Sequence, residues 1–341
     1  MRVLVTANIT PFLHGGADYH IEGLTRALQA QGHEALCLRF PFNYHRPQDI
    51  NALMQFCDGL DLNQPNGQHI DTLISLQFPT YGVLHDNHRV WIMHQHRSAY
   101  ELYDAATASA EDEAQRTRIH AFDQQALSRI SRRFANSGRV AERLRHYNGL
   151  DAQPLYHPPH AAERFYSAEA AGYLFFPSRI ETLKRQSLLI RAAALVRSPV
   201  VFLLAGDGGQ RPHCEQLIAE LGVADRVRLL GRVTEAEKRA YYAHSLAVFY
   251  GPQDEDYGYV TLEAMLSAKP VITCTDSGGP LELVQHEQTG LIVEPTPEAI
   301  AAAADRLYRE PAQARALGSA GRQHYHDLAI RWDQVVTRLL A

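Results

Sequence analysis

Asp254–Glu255–Asp256–Tyr257–Gly258–Tyr259–Val260–Thr261–Leu262–Glu263–Ala264–Met265 lies between two apolar runs, Ser245–Leu246–Ala247–Val248–Phe249–Tyr250 before it and Lys269–Pro270–Val271–Ile272–Thr273 after it. The first run reads as a buried strand, the lysine–proline pair as a helix stop, and the residues after it as another strand. Gly258 is placed to open the helix between them. A strand–loop–helix–strand unit belongs to a parallel sheet with helical crossovers, and its loop lies at the carboxyl edge of that sheet, where ligands bind. Unpaired N–H groups at Gly258, Tyr259 and Val260 would face an anion such as a diphosphate. Glu263 stands five residues beyond Gly258, roughly 7–8 Å along the axis at 1.5 Å per residue. That is close to the separation between a nucleotide's diphosphate and its ribose hydroxyls. Glu255, still in the loop, is placed to accept hydrogen bonds from a sugar on the phosphate's other side. Two spaced carboxylates around an anion site suit a nucleotide sugar better than a bare nucleotide.

At 341 residues the chain is long for one domain, and two of about 150–170 residues are the natural division. Its 45% hydrophobic and 21% charged content is that of an ordinary globular protein. A net charge of −5 gives no general attraction to nucleic acid or anionic lipid. Basic charge is almost all arginine, with lysine only at Lys184, Lys238 and Lys269. Cys37, Cys57, Cys214 and Cys274 show no C-x-x-C spacing, and two fall in strand-like runs. They read as buried free thiols of a reducing compartment rather than as disulfides. The apolar start Met1–Ala7 is too short for a signal peptide, and no run approaches the ~18–20 apolar residues of a membrane span. The expectation is a cytoplasmic protein, with peripheral contact at the inner membrane face left open.

Strand-like and helix-like segments alternate throughout, which argues for parallel sheets with helical crossovers. Val3–Ala7 reads as a first strand and Gly15–Gly16 as the turn into a helix that places Ile21, Leu24 and Leu28 on one face and ends near Gly32. Strands at Ala35–Leu38, Thr72–Leu76, Val90–Met93 and Arg133–Asn136 follow, with a long polar helix at Ser109–Ser131. Tyr156–His157–Pro158–Pro159–His160 reads as a link between domains. A second series runs through strand Tyr173–Pro177, a helix near Lys184–Val196, strand Val200–Ala205, a helix near His213–Leu221, strand Arg226–Leu230 and a helix over Glu235–Ala243.

The run from Glu255 to Ile272 resembles the E-x7-E segment of family 4 retaining glycosyltransferases, typically E-G-F-G-x-x-x-L-E-A-M-A-x-G-x-P-V-I. It continues into Thr275–Asp276–Ser277–Gly278–Gly279–Pro280–Leu281–Glu282–Leu283–Val284, close to that family's D-x-G-G-x-x-E-x-V. Asp256 replaces the usual Gly, Tyr257 the usual Phe and Ala268 the usual Gly; Asp256 sets a negative charge beside the anion site. The resemblance implies an α/β architecture of the GT-B type, two doubly wound Rossmann-like domains facing each other across a cleft. It implies an acceptor-side domain over residues 1–160, a nucleotide-sugar domain over 161–321, and a last helix at about 322–341 packing back on the first domain.

The same resemblance assigns roles to matching positions. Pro177–Ser178–Arg179–Ile180–Glu181–Thr182–Leu183–Lys184–Arg185–Gln186 is similar to the family's G-R-x-x-x-x-K-G, so Arg179 and Lys184 would neutralise the departing diphosphate as charge builds on it. Ser178 and Arg185 stand where glycines are usual. Ala205–Gly206–Asp207–Gly208 resembles an A-G-x-G at the inner edge of the donor site, although a structural turn is the plainer reading of Gly206. Leu230–Gly231–Arg232–Val233 resembles the loop that lies against the base, which would put Arg232 and Val233 there. His14–Gly15–Gly16–Ala17 matches a glycine pair that lets main-chain amides approach a phosphate or the transferred sugar, with flexible turn glycines as the alternative. His94, after the strand Val90–Met93, would point toward the reacting sugar; a lone histidine otherwise reads as a hydrogen-bonded structural residue. Asn136–Ser137, before Val140–Leu144, matches an N-S-x-x-x-A-x-x-L that reads as architectural.

His85, His88 and His96 raise a metal reading that no ligand spacing supports, and no resident metal or cofactor is expected. Asp254–Glu255–Asp256 formally matches a D-x-D metal motif, but that motif belongs to a different glycosyltransferase fold. The arginines at 116, 118, 129, 132, 133, 139, 143 and 145 read as a solvated helix face rather than as a site for an acidic or lipid-linked acceptor. The implied activity is transfer of a sugar from a UDP- or GDP-linked donor to a hydroxyl of a glycan, lipid-linked or small-molecule acceptor, with retention. Glu255 would hold sugar hydroxyls, Glu263 the ribose, Tyr257 and the amides of Gly258, Tyr259 and Val260 the phosphates, while His94 and Gly16 would line the acceptor side. No covalent nucleophile or base stands out, which fits the front-face mechanism proposed for such enzymes. A sugar-nucleotide epimerase of the same fold and a non-catalytic sugar-nucleotide-binding subunit are the alternatives.

Overall fold

The computed structural model describes residues 1–341 except Leu13, His14 and His45, so the His14 of the glycine-pair motif lies outside the described residues. The chain divides into two compact units, Met1–His157 with Arg331–Ala341, and Pro158–Ile330.

The first unit runs β1 (Arg2–Ile9), α1 (Gly16–Ala30), β2 (Glu34–Pro41), α2 (Pro47–Asp58), β3 (Thr72–Ser75), β4 (His88–Ile92), α3 (Ala110–Arg129), β5 (Arg132–Ala135), α4 (Gly138–Asn148) and β6 (Gln153–Pro154). Its strands are parallel in the order β2-β1-β3-β4-β5-β6. Parallel strands covered on both faces are apolar throughout, and Leu73, Ile74, Val90, Trp91 and Ile92 are fully buried. On one face Ile21, Leu24 and Leu28 of α1 pack with Val3, Val5 and Ile74; on the other, Ile50 and Met54 of α2 pack with Ile119 and Leu127 of α3 and Leu144 of α4. Ser109 caps α3, its hydroxyl accepting from the Asp112 amide while the Asp112 carboxylate accepts from the Ser109 amide. Ser137 caps α4 in the same position, which gives the Asn136–Ser137 motif its architectural role.

The second unit runs β7 (Tyr173–Pro177), α5 (Gln186–Ala193), β8 (Val201–Ala205), α6 (Arg211–Glu220), β9 (Val227–Gly231), α7 (Glu235–His244), β10 (Ala247–Phe249), α8 (Tyr259–Leu266), β11 (Val271–Cys274), β12 (Gly290–Val293), α9 (Pro297–Arg309) and α10 (Pro311–Asp327). Its parallel order is β12-β11-β10-β7-β8-β9. That is the doubly wound order in which the winding reverses between β7 and β10. The carboxyl ends of those two strands therefore flank the crevice where such sheets take ligands.

Two expected elements differ from the structure. The helix read from Lys184 begins at Gln186, because Arg185 adopts a left-handed backbone (φ 57°) and Lys184 sits in a short 3-10 turn, Thr182–Lys184. The single last helix at about 322–341 is two. α10 ends at Asp327, Ala329 turns left-handed (φ 49°), and a separate α11 (Trp332–Leu340) joins the first unit. α11 contributes Val335, Val336 and Leu339 to the core around α1, and burying each stabilises by roughly 1.5–3 kcal/mol. A Cβ on Gly23 would lie 2.2 Å from the Trp332 ring, so α1 is kept bare where that indole rests. The thiols are free, with Cys57, Cys214 and Cys274 buried, and burial raises the pKa of Cys57 and Cys274 to about 12. Among the described residues no helix is long and apolar enough to cross a membrane.

Candidate active site

At the winding reversal three loops are tied into one frame. Gln253, after β10, donates its amide to the Leu183 carbonyl, after β7 (2.8 Å). The Asp254 and Glu255 amides donate to the carbonyls of Asp276 and Ser277, after β11 (3.0 and 2.9 Å), and Gly279 returns an amide to Glu255 (2.8 Å). Arg185 adds a bidentate pair with Asp276 (3.1 and 2.7 Å). Gly278 is required here: its φ is 72° with ψ −127°, and a Cβ would lie 2.5 Å from the Glu255 carbonyl oxygen.

Inside this frame Glu255, Lys184 and Tyr250 meet. Lys184 forms a close ion pair with Glu255 Oε2, the Tyr250 hydroxyl donates to the same oxygen (3.0 Å), and Lys184 Nζ also donates to Tyr250 Oη (3.3 Å). The Lys184 and Glu255 side chains are each 16% exposed, partly screened from water yet reachable. Tyr250 is buried, and burial followed by the Glu255 charge holds its hydroxyl far above the ordinary tyrosine range, so it stays a donor. Arg179 is exposed, and among the described residues its guanidinium has no partner; its carbonyl accepts from Gln186 (2.8 Å).

Gly258, with φ 84°, caps α8, and Tyr259 is the first helical residue, as the sequence implied. Tyr257 and Val260 are buried beside it, and the Tyr257 and Tyr259 rings meet edge to face (5.3 Å). Glu263 lies on the second turn of α8, only 6% exposed. Its carboxylate is not bare: Lys238 Nζ donates to Oε1 (2.9 Å) and the Tyr242 hydroxyl to Oε2 (2.7 Å), both from α7.

Gly206 follows β8 with φ 133°, and a Cβ there would lie 2.0 Å from the Ser178 carbonyl oxygen. That contact explains the glycine as a packing requirement of the turn after β7. Arg232 and Val233 follow Gly231 at the end of β9 and lead into Thr234, which caps α7; Arg232 is exposed and Val233 partly so.

In the first unit Gly15 caps α1 and Gly16 opens it. The Gly15 amide donates to Asp18 (3.0 Å), whose other oxygen accepts from Arg39 (2.6 Å), so the first turn already holds a carboxylate. A Cβ on Gly15 would meet nothing within 4 Å and its backbone is extended, so neither packing nor strain explains that glycine. His94 follows β4, and its Nδ1–H donates to the Gln95 carbonyl (2.7 Å), which leaves Nε2 as the acceptor nitrogen when the ring is neutral. His88 instead contacts the Ser75 hydroxyl (2.8 Å), and burial depresses it to about 3. Among the described residues no three His, Cys, Asp or Glu side chains converge on a metal position. The basic stretch is largely spent internally: Arg129 pairs with Asp58, Arg143 with Glu101 and Arg145 with Asp151.

Sequence reading named both glutamates, Lys184, Arg179 and Gly258, but missed Tyr250, Lys238 and Tyr242 as their partners. The scarcity of lysine was the signal available for Lys238, since two of the chain's three lysines contact the two glutamates.

Residues 163–324 match the family model described as glycosyl transferases group 1. The chain is 31% identical over 283 residues to the D-inositol 3-phosphate glycosyltransferase of Geodermatophilus obscurus, covering 75% of this chain and 61% of that protein. The chain spans less than two thirds of the length of several curated relatives it matches, from 26% to 61% among them. Among solved structures it is similar to sucrose-phosphate synthase from Thermosynechococcus elongatus (TM-score 0.77, 19% identity, 98% of this chain and 96% of that one). It is similar also to Anabaena Alr3699/HepE in complex with UDP and glucose (TM-score 0.73, 16% identity, 99% of each). These likenesses show the fold, two Rossmann-like α/β units of the GT-B type.

Proposed function

Through residues 163–324 this chain belongs to the glycosyl transferases group 1 family, and on that premise we propose that it transfers a sugar, with retention, from a UDP- or GDP-linked donor to a hydroxyl of a glycan, lipid-linked or small-molecule acceptor. The observation that carries this reading is the Lys184–Tyr250–Glu255 cluster at the β7/β10 reversal, with Glu255 four positions before Tyr259, the first residue of α8. Without donor, the lysine and the glutamate neutralise each other. A nucleotide sugar offers each a better partner: the diphosphate takes the Lys184 ammonium, and the sugar hydroxyls donate to the freed Glu255 carboxylate. Arg179 and the α8 amides add to the field that meets the charge developing on the leaving phosphate. Tyr250 stays in place as a donor to Glu255 through the exchange. Glu263 takes the ribose, and His94 with Gly16 serves the acceptor side. No metal is needed in this scheme.

The test begins with thermal shift against UDP and GDP, followed by incubation with the matching nucleotide sugars. Donor alone should be hydrolysed slowly; conversion to an epimer, or binding without turnover, points instead to an epimerase or a non-catalytic subunit. With an acceptor found by screening, NMR of the product reads the anomeric configuration, and inversion overturns the mechanistic part of the proposal.

A further inference from the structure

The chain carries 33 lysines and arginines, of which three are lysine and thirty arginine. None of the three lysines is fully exposed. Lys269 donates to the Ala168 carbonyl (2.9 Å) and is driven down to about 8 by burial. The other two contact the two spaced glutamates, and each glutamate also receives a buried tyrosine hydroxyl. The Glu263 arrangement is the more enclosed, with side-chain exposure of 15% for Lys238 and 8% for Glu263. Lys238 reaches Glu235 as well (3.1 Å). Burial pulls the Lys238 ammonium down, but the charges of Glu263 and Glu235 outweigh it and leave its pKa above the ordinary lysine value. An arginine fork is wider than an ammonium, so a compact cation between two carboxylates suits lysine in a chain that otherwise uses arginine.

The geometry also fixes what Glu263 has left to offer. A carboxylate has about four acceptor positions, two on each oxygen. Lys238 occupies one on Oε1 and Tyr242 one on Oε2, so one remains on each oxygen. A pair of vicinal hydroxyls matches that remainder. The same ammonium offsets a negative charge that would otherwise stand on the helix whose N-terminus receives a diphosphate. Its helix, α7, is anchored by a capping box between Thr234 and Glu237, directly after the Gly231–Val233 loop, so the base-side loop and the clamp share one rigid element.

We propose that Lys238 and Tyr242 are positioning residues that present Glu263 to the cis-diol of a ribose, making Lys238 a determinant of ribonucleotide selectivity. This rests on the donor-site reading above. The experiment is isothermal titration of the full chain with UDP and GDP, and with the 2′,3′-dideoxy analogue of whichever binds. Lys238→Met should weaken the ribonucleotide about 10- to 100-fold and leave the dideoxy analogue within about twofold. Lys238→Arg should recover only part of the loss. Because Lys238→Met leaves a buried carboxylate without its counter-charge, Glu263→Gln/Lys238→Met supplies a variant that needs none. In the Glu263→Gln background, adding Lys238→Met should change ribonucleotide affinity less than twofold. Equal losses for both nucleotides, or a full further loss in the Glu263→Gln background, overturn the clamp. If the unaltered chain binds no nucleoside diphosphate, the donor-site assignment itself falls; if it binds one and Lys238→Met changes nothing, only the clamp falls.

Discussion

Glu255 and Glu263 carry one functional group in two settings, one partly exposed in the loop before α8 and the other sunk into α8. In the proposed scheme Glu255→Ala should abolish transfer while largely preserving nucleoside diphosphate affinity, because its partners are on the sugar. Glu263→Ala should weaken the nucleotide itself by roughly 1.5–3 kcal/mol, the worth of a charge-assisted hydrogen bond. Calorimetry on both variants checks this, and matching losses contradict the division. Both glutamates were legible in the sequence because their spacing and flanking residues lie in one continuous segment. Their pairings were not: Lys184 was legible as a cation for the diphosphate but not as the partner of Glu255, 71 positions away, and Lys238 and Tyr242 are 25 and 21 from Glu263. Only the sheet order brings such positions together.

At the scale of elements, strands were readable because a buried parallel strand is an unbroken apolar run, whereas helix ends were set by tertiary ties. Arg185 turns left-handed where its guanidinium grips Asp276 from another loop, which no local signal announces. The Asp254–Gly258 and Asp276–Gly279 loops depend on a similar fit. Gly278→Ala should cost on the order of 2–3 kcal/mol, since it forces a Cβ into the Glu255 carbonyl from a glycine-only backbone region. Urea unfolding measures it, and an unchanged midpoint would show the loop yields freely. On α3, fully buried Asp123 accepts from the hydroxyls of Tyr81 and Tyr100 (2.6 Å each). Burial raises its carboxyl from 3.8 to about 7, with the two hydroxyls partly offsetting the rise. The folded state therefore binds the proton more tightly than the unfolded one. The stability this contributes is present below pH ~4 and lost as pH rises toward 7, by up to about 4 kcal/mol. Asp123→Asn should flatten that slope between pH 5 and 7.5 in urea titrations; an identical slope would assign the pH dependence to other groups.

For the molecule as a whole, the alternation of strands and helices announced two doubly wound sheets, and the proline-rich stretch at residues 156–160 marked the neighbourhood of the crossing at His157–Pro158. The resemblance implied the return of the last helix to the first domain; what went unmarked was the break that makes it a separate helix from Trp332, because the turn at Ala329 contains neither glycine nor proline. Charge is a property of this scale too. In the proposed scheme Lys184, Arg179 and the α8 amides supply the positive field, so transfer should survive excess EDTA, and Lys184→Ala should lower turnover by on the order of a hundredfold. Activity lost in EDTA and restored by magnesium would move the neutralising charge to a metal. The return of α11 to the first unit also has a consequence in time. Chain synthesis delivers the strands of that unit before the second unit, but Val335, Val336 and Leu339 follow only after the second unit. The second unit is thus complete in sequence while the apolar stripe of α1 still lacks its cover. Until α11 emerges, that apolar stripe of the first unit stays open to chaperones, proteases and aggregation.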